Sequence, residues 1–165
     1  MPQHIGIVGC SAEGAALCYR TICLEGAQWL GTHGHPEVTL HTFSLAAYVE
    51  RIEHDDWQGV GEMMIASGQK LAQAGADFLI CPDNTIHQAM GFVEPTSPLP
   101  WIHIAEAVAE EAVRRGFGRV GLTGTRWLVD SVVYPEKLAA RGLEFVRPTA
   151  AERDEINRII MDELV

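Results

Sequence analysis

Three short stretches of this 165-residue sequence gather residue types that hold and work on a small carboxylate. They are GCSAEG (Gly9 to Gly14), CPDNTIH (Cys81 to His87) and LTGTR (Leu122 to Arg126). Each offers glycine, hydroxyl or amide groups with few bulky charges. Backbone N–H groups at a helix N-terminus attract an anion, and Ser, Thr or Asn side chains fix its orientation. CPDNTIH places Asp83, Asn84 and Thr85 just past an apolar run and before an expected helix, and His87 follows Asn84 by three residues, within reach of the same point from the first turn of that helix. Asp83, Asn84 and Thr85 are common turn and cap residues, so taken alone this stretch reads more readily as turn chemistry than as a site.

Other site chemistries find less support. Gly6, Gly9 and Gly14 do not give the GxGxxG spacing of a dinucleotide loop, and GxxxxGK[ST] is absent. His33 and His35 fall in the Gly/Pro turn GTHGHP without Cys or carboxylate partners at ligand spacing. A solvated loop therefore explains them better than a metal site that would also draw on His41, and no metal site is expected. His103, in a strand-like run, reads as a hydrogen-bonded core histidine. Trp57, Trp101 and Trp127 read as packing residues at element edges.

All three stretches follow short apolar runs that read as strands. Ile5 to Gly9 is apolar and glycine-bounded, and a helix from about Ala12 to Leu24 follows with Ser11 as N-cap. Glu37 to Phe43 alternates as a strand does. Val60, Met63, Met64 and Leu71 lie at helical spacing within Trp57 to Ala74, with Gly75 as C-cap. Ala76 to Pro82 reads as a third strand, stopped by its proline. Leu99–Ile104, Arg119–Gly124 and Leu143–Pro148 read as later strands. Helices are expected over Ala105–Arg115, Trp127–Arg141 and Ala150–Val165, the last with Ile156, Ile159, Ile160 and Leu164 on one stripe. This alternation predicts an α/β fold with parallel sheets covered by helices on both faces. Ligands of such sheets bind beyond the carboxyl ends of the strands, where the three stretches lie. The Pro-rich EPTSPLP (Glu94 to Pro100) marks the boundary between an N-terminal domain, 1–97, and a second part, 98–165.

Composition sets outer bounds. Hydrophobic residues make up 47% and charged residues 21%, enough for a packed core. The formal charge of −10 argues against a nucleic-acid partner, which needs a basic face. No apolar run is long enough to span a bilayer, and the N-terminus lacks the basic n-region of a signal peptide. Cys10, Cys18, Cys23 and Cys81 read as free thiols in a reducing cytoplasm.

The three strand ends together resemble the aspartate/glutamate racemase family. IGIVGCSAEGAALCYRTI is similar to its opening strand, Gly-x-Ser loop and Tyr-Arg-x-Ile helix, through Gly9, Ser11, Glu13, Tyr19, Arg20 and Ile22. GADFLICPDNTIHQA resembles its Cys-Asn-Thr or Thr-Asn-Thr segment and following His. LPWIHIAEAVAEEA and RVGLTGTRWLVDSVVYPEKLAARGLEF resemble later segments, so the likeness runs in order along nearly the whole chain. The resemblance implies two pseudo-symmetric α/β domains, the second incomplete here, with a small amino acid bound between them. It implies proton transfer at the α-carbon without PLP or metal, by two opposed acid/base groups. Ser11, Asn84 and Thr85 would bind the α-carboxylate, and Thr125 would contact the substrate from the second half. A homodimer is expected on the same ground.

Two departures follow from the likeness. The residue before Asn-Thr, usually Cys and sometimes Thr, is here Asp83, which becomes the expected proton-transfer residue while Cys81 packs in or under the strand. The family's second acid/base residue comes from a Gly-Cys-Thr-Glu type turn, which this sequence does not reach before Val165. The expectation is therefore either a fragment or a member with one base. A lone base is compatible with decarboxylation, isomerisation or one-sided exchange, but not with an ordinary two-base racemisation. Three readings therefore stand: a racemase-type isomerase of a small acidic amino acid, a decarboxylase or cis–trans isomerase of a dicarboxylate, and a carboxylate-binding protein without catalysis.

Overall fold

The computed structural model describes residues 3–164. The chain divides into two compact units, one reaching to Ile102 and one beginning at His103.

The first unit is built on β1 (Ile5–Gly9), β2 (Val38–Thr42), β3 (Phe78–Ile80) and β4 (Trp101–Ile102). All pairings are parallel, in the order β2-β1-β3-β4. The crossovers are helical: α1 (Ala12–Leu30), then α2 (Leu45–Glu53) and α3 (Trp57–Gln73), then a 3₁₀ turn (Thr85–Ala89) running into α4 (Met90–Val93). Because β4 pairs with β3, the first unit takes in the whole Pro-rich stretch and extends past residue 97. Ile7, Val8 and Leu79 from the central strands and Tyr48, Val60, Met64 and Leu71 from the helices are fully buried. Strand apolar on both faces is what a sheet covered on both sides requires.

Glycine lets the layers approach. A Cβ on Gly6 would stand 2.8 Å from Leu79 Cδ2, and one on Gly68 2.9 Å from Leu79 Cδ1. The two methyls of Leu79 thus fill the gaps left by a β1 glycine and an α3 glycine, which clamps β3 between its neighbours.

The second unit pairs β5 (Arg119–Gly121) with β6 (Glu144–Val146), also parallel. Around them run α5 (Ile104–Arg114), α6 (Arg126–Val129), α7 (Val133–Ala140) and α8 (Ala150–Ile159), which continues as a π-helical turn, Ile160–Leu164. Its core joins Ala109, Ala112, Leu138 and Leu143, with a second cluster of Ala105, Leu128 and Val133.

The α/β, parallel-sheet expectation is met, with differences in detail. α1 runs six residues past Leu24, to Leu30, before Gly31 (φ 87°) ends it. α2 has no counterpart in the expected elements, although Leu45, Tyr48, Val49 and Ile52 carry helical spacing after the N-cap Ser44. The single helix expected over Trp127–Arg141 is two helices. Pro135 sits in the first turn of α7, where its missing N–H is tolerated, and its ring excludes the carbonyl four residues back, so the break falls at Asp130–Val132. The last helix keeps its stripe but no residue of α8 is buried, and Val165 lies outside the described residues. No helix among the described residues is long and apolar enough to cross a membrane.

Candidate functional site

β1 and β3 are neighbours and end side by side. Their register pairs Ile7 with Ile80. Three further residues along each chain bring Cys10 opposite Asp83, just beyond the paired strands. The first helical turns of α1 and of the 3₁₀ segment open at this edge, so backbone N–H groups converge there. Parallel sheets place their ligand sites at this end.

Ser11 caps α1, its Oγ accepting from Gly14 N at 3.3 Å. A Cβ on Gly14 would come within 2.9 Å of that hydroxyl, so the tight GCSAEG turn needs glycine there. Asp83 is half-buried. Its Oδ1 accepts from Thr85 N at 3.2 Å. Burial pushes its carboxyl above the usual carboxylate range, and hydrogen bonds from the Cys10 thiol and the backbone N–H groups of Ile86, Thr85 and Ser11 oppose that rise. The Asp83 carboxylate therefore takes the anion position at the N-terminus of α1, and ties that terminus to the end of β3.

The neighbouring groups follow from this anchoring. Thr85 and His87 are buried, and Asn84 is half-buried. His87 Nδ1 stands 2.8 Å from the Asp83 carbonyl, which can only accept, so that ring nitrogen carries the proton. Cys81 is buried, its thiol donating to the Asp83 carbonyl at 3.7 Å. Cys10 is also buried, and its thiol is held well above its ordinary pKa, first by burial and then by the charge of Asp83. Five of the residues expected from sequence at a site, Ser11, Asp83, Asn84, Thr85 and His87, thus share one sheet edge. Cys10 belongs with them, and sequence reasoning misses it. The signal that reveals it is the β1/β3 pairing, which sequence spacing alone does not give.

Thr125 lies in the second unit, where it is the N-cap of α6 and accepts from Leu128 N at 3.3 Å. Gly124 before it has φ 154°, a conformation that favours glycine. A separate hollow of about 650 Å³ opens beyond β5 and β6, lined by Leu122, Thr123, Val146, Arg147 and Glu152 among others. None of the six candidate site residues lines it.

The remaining histidines take assorted roles. His33 and His35 are exposed, as a solvated turn requires. His41 lies on β2, within the stretch expected to be a strand, and bonds Ser67 on α3, because strand alternation turns it toward the helix layer. His103 is buried and caps α5, its Nδ1 accepting from Ala105 N at 3.2 Å. Trp57, Trp101 and Trp127 are half-buried at element ends. The four cysteines are free.

A parallel sheet flanked by helices, with strand-end turns that gather a carboxyl, hydroxyls and an amide, is the architecture that the sequence resemblance leads one to expect. The Asp/Glu/Hydantoin racemase family matches residues 7–164, and the chain belongs to that family. It is 26% identical over 113 residues to the broad specificity amino-acid racemase RacX of Bacillus subtilis (strain 168), an overlap of 68% of this chain and 48% of that protein. The chain thus spans about half the length of that relative. Its fold is similar to that of a Yersinia pestis protein proposed to be an Asp/Glu racemase, with TM-score 0.86 and 28% identity over 96% of this chain and 70% of the other. An aspartate racemase homologue from Pyrococcus horikoshii OT3 gives TM-score 0.81 and 30% identity over 98% of this chain and 71% of the other.

Proposed function

We propose that this chain moves a proton at the α-carbon of a small acidic amino acid, of the aspartate or glutamate type, without a cofactor. Asp83 is the acid/base residue. Ser11, Asn84, Thr85 and His87 hold the substrate carboxylate beside it, and Thr125 is a further substrate-binding residue. The observation that carries the reading is a half-buried carboxyl, raised by burial, at the carboxyl ends of two adjacent parallel strands. An unperturbed Asp, with a pKa of about 3.9, is a weak base, and desolvation is what makes it a stronger one. The α-proton is weakly acidic, so the rest of the barrier falls to positioning and to hydrogen bonds aimed at the developing negative charge.

A second reading has its own support. A carboxylate has about four lone-pair sites. Cys10, Ser11, Thr85 and Ile86 supply four donors to Asp83. On that reading Asp83 locks the two turns together, and the edge binds a carboxylate without catalysis.

Proton NMR of L-aspartate and L-glutamate in heavy water separates the two. Loss of the α-proton signal with the wild-type chain, and not with Asp83→Asn, supports proton transfer centred on Asp83. Binding of either acid without exchange supports the second reading.

A further inference from the structure

The sheet of the second unit has two strands, and among the described residues nothing pairs with the outer edge of β5. β5 lies parallel to β6, with Arg119 opposite Glu144 and Gly121 opposite Val146. At the two ends of this ladder, Glu144 N donates to Gly118 O at 3.0 Å and Leu122 N donates to Val146 O at 2.9 Å. Hydrogen-bonding groups alternate sides along a strand, so residues 118, 120 and 122 bond β6. The N–H and C=O of Arg119 and Gly121 therefore point outward. Within β6, Phe145 alone faces the far side. An open row such as that of β5 is a template for another strand.

Apolar surface continues this edge. α5 sets Ala105, Ala109 and Ala112 into the core. Its Glu106 and Glu110 pair with Lys137 of α7 and with Arg141 just after α7, at 2.5 Å each, which marks the flank of α5 on the crossover side. The opposite flank carries Ile104, Val108, Glu111 and Arg115 at helical spacing. With Phe117 and Val120 these four border a hollow of about 410 Å³. Val108 is 42% exposed and Phe117 53%. Strand alternation puts Arg119 and Gly121 on the other face of β5. Arg119 is exposed and has no ion-pair partner among the described residues. A Cβ on Gly121 would meet nothing within 4 Å. Beside Gly121, α8 brings Glu152 and Glu155 to the wall of the hollow of about 650 Å³.

We propose that this edge binds a second copy of the chain, whose own β5 pairs antiparallel with it across a two-fold axis at Val120. Arg119 of each copy then stands opposite Gly121 of the other, and the two exchange both of their outward backbone hydrogen bonds. A register one residue away brings inward-facing groups to the seam, and centring on Arg119 sets two guanidiniums side by side. The axis at Val120 avoids both. On the α5 face, the two Val120 side chains meet at the axis, and Val108 of each copy comes to Phe117 of the other. The α5 flanks run antiparallel there, so Glu111 of one copy faces Arg115 of its twin. On the opposite face, Arg119 of the incoming strand lies over the space left by Gly121, toward Glu152 and Glu155. Backbone, apolar and charged matches are thus all met within one self-complementary surface, as an isologous interface requires. The product is a continuous four-stranded sheet in the order β6-β5-β5-β6, in place of an isolated pair of strands, which is marginal alone. The pairing does not depend on the role of Asp83.

Sedimentation velocity of the 165-residue chain at rising concentration tests this, reading one copy of 18.1 kDa against two. The wild-type chain is expected to dimerise reversibly, with a dissociation constant of about 10 μM, as suits a small interface. Two variants locate the surface, with folding verified by circular dichroism. Gly121→Pro deletes an outward N–H and costs no bond to β6, since proline is tolerated on an edge whose N–H faces solvent. Val108→Glu sets a carboxylate against Phe117 of the other copy. Each raises the dissociation constant about tenfold or more, the scale of one lost contact of this kind. If Gly121→Pro does not fold, Val108→Glu decides alone. A dimer whose dissociation constant is unchanged in a folded variant overturns the proposal and places self-association elsewhere. A wild-type chain that stays monomeric up to about 1 mM overturns it as well and assigns the β5 edge to a different strand.

Discussion

The direction in which folding moves the Asp83 pKa decides between a base and a lock, and protein stability reads that direction without any substrate. The perturbation is Asp83→Asn, which keeps the shape and one acceptor oxygen. A group whose folded pKa is raised contributes stability that is fully present below its unfolded pKa, about 3.9 for Asp, and is lost as pH rises through the folded pKa. Burial raises Asp83. The wild-type chain therefore carries a stability contribution from this residue at acid pH that fades on the way to neutrality. Its size is about 1.4 kcal/mol for every tenfold by which the folded carboxyl holds its proton more tightly than the unfolded one. Asparagine has no such slope. Its amide cannot accept everything the carboxyl accepts, and hydrogen bonds to a charged group are worth about 1.5–3 kcal/mol each. Asp83→Asn is therefore destabilising overall, by most at about pH 4 and by less at about pH 7. Urea unfolding of both chains across this range gives the difference, in which every other titrating group cancels. A deficit that instead grows with pH refutes the reasoning. It means the donors from Cys10, Ser11, Thr85 and Ile86 outweigh burial, the folded pKa is depressed, and Asp83 is too weak a base to take an α-proton.

Other perturbations test the frame around it. Ser11→Ala removes the cap of α1 and costs about 1 kcal/mol in urea unfolding, with weaker binding of L-aspartate by calorimetry if the same hydroxyl holds the carboxylate. Leu79→Ala empties a fully buried position between Gly6 and Gly68 and costs about 2–5 kcal/mol by the same assay. Adding Gly68→Ala to Leu79→Ala recovers part of that loss, because the new methyl enters the space that Leu79 Cδ1 vacates. On the wild-type background Gly68→Ala destabilises, since Leu79 Cδ1 stands 2.9 Å from the new Cβ. In the second unit, Thr149→Ala breaks the capping box with Glu152 and lowers stability by about 1 kcal/mol.

Much of this arrangement is written in local sequence, and the part that is not has a common cause. β1 ends where glycine and Ser11 end it, and Ser11 caps the helix because its hydroxyl competes for the free N–H groups of the first turn. Those signals lie within a few residues of what they determine. The parallel pairing of β1 with β3 does not, since about seventy residues separate the two strands. The likeness of three segments to one family supplies the missing long-range information for Asn84 and Thr85. It supplies none for Cys10, because the family pattern draws attention to the residue at position 83. The partner of His41 is hidden for the same reason: the expected strand places His41 on β2, while Ser67 comes from a helix twenty-six residues on.

The pair at this edge shows what an aspartate at position 83 entails. The resemblance leads one to expect a thiol before Asn-Thr, and here an aspartate stands there, with a cysteine at position 10 in the opposite turn. A bare carboxylate in that place meets the same desolvation that raises a thiol. Cys10 answers it by donating its S–H, and the strong rise in the Cys10 pKa keeps that proton on sulfur. The thiol is thus a dependable donor and a poor nucleophile in this setting. Cys10→Ser keeps a donor and leaves the Asp83 pKa near its wild-type value. Cys10→Ala removes the donor and raises it further. The pH profile of α-proton exchange for the two variants reports the difference: its acidic limb stays in place for serine and moves to higher pH for alanine. An acidic limb that moves equally in both assigns Cys10 a packing role alone.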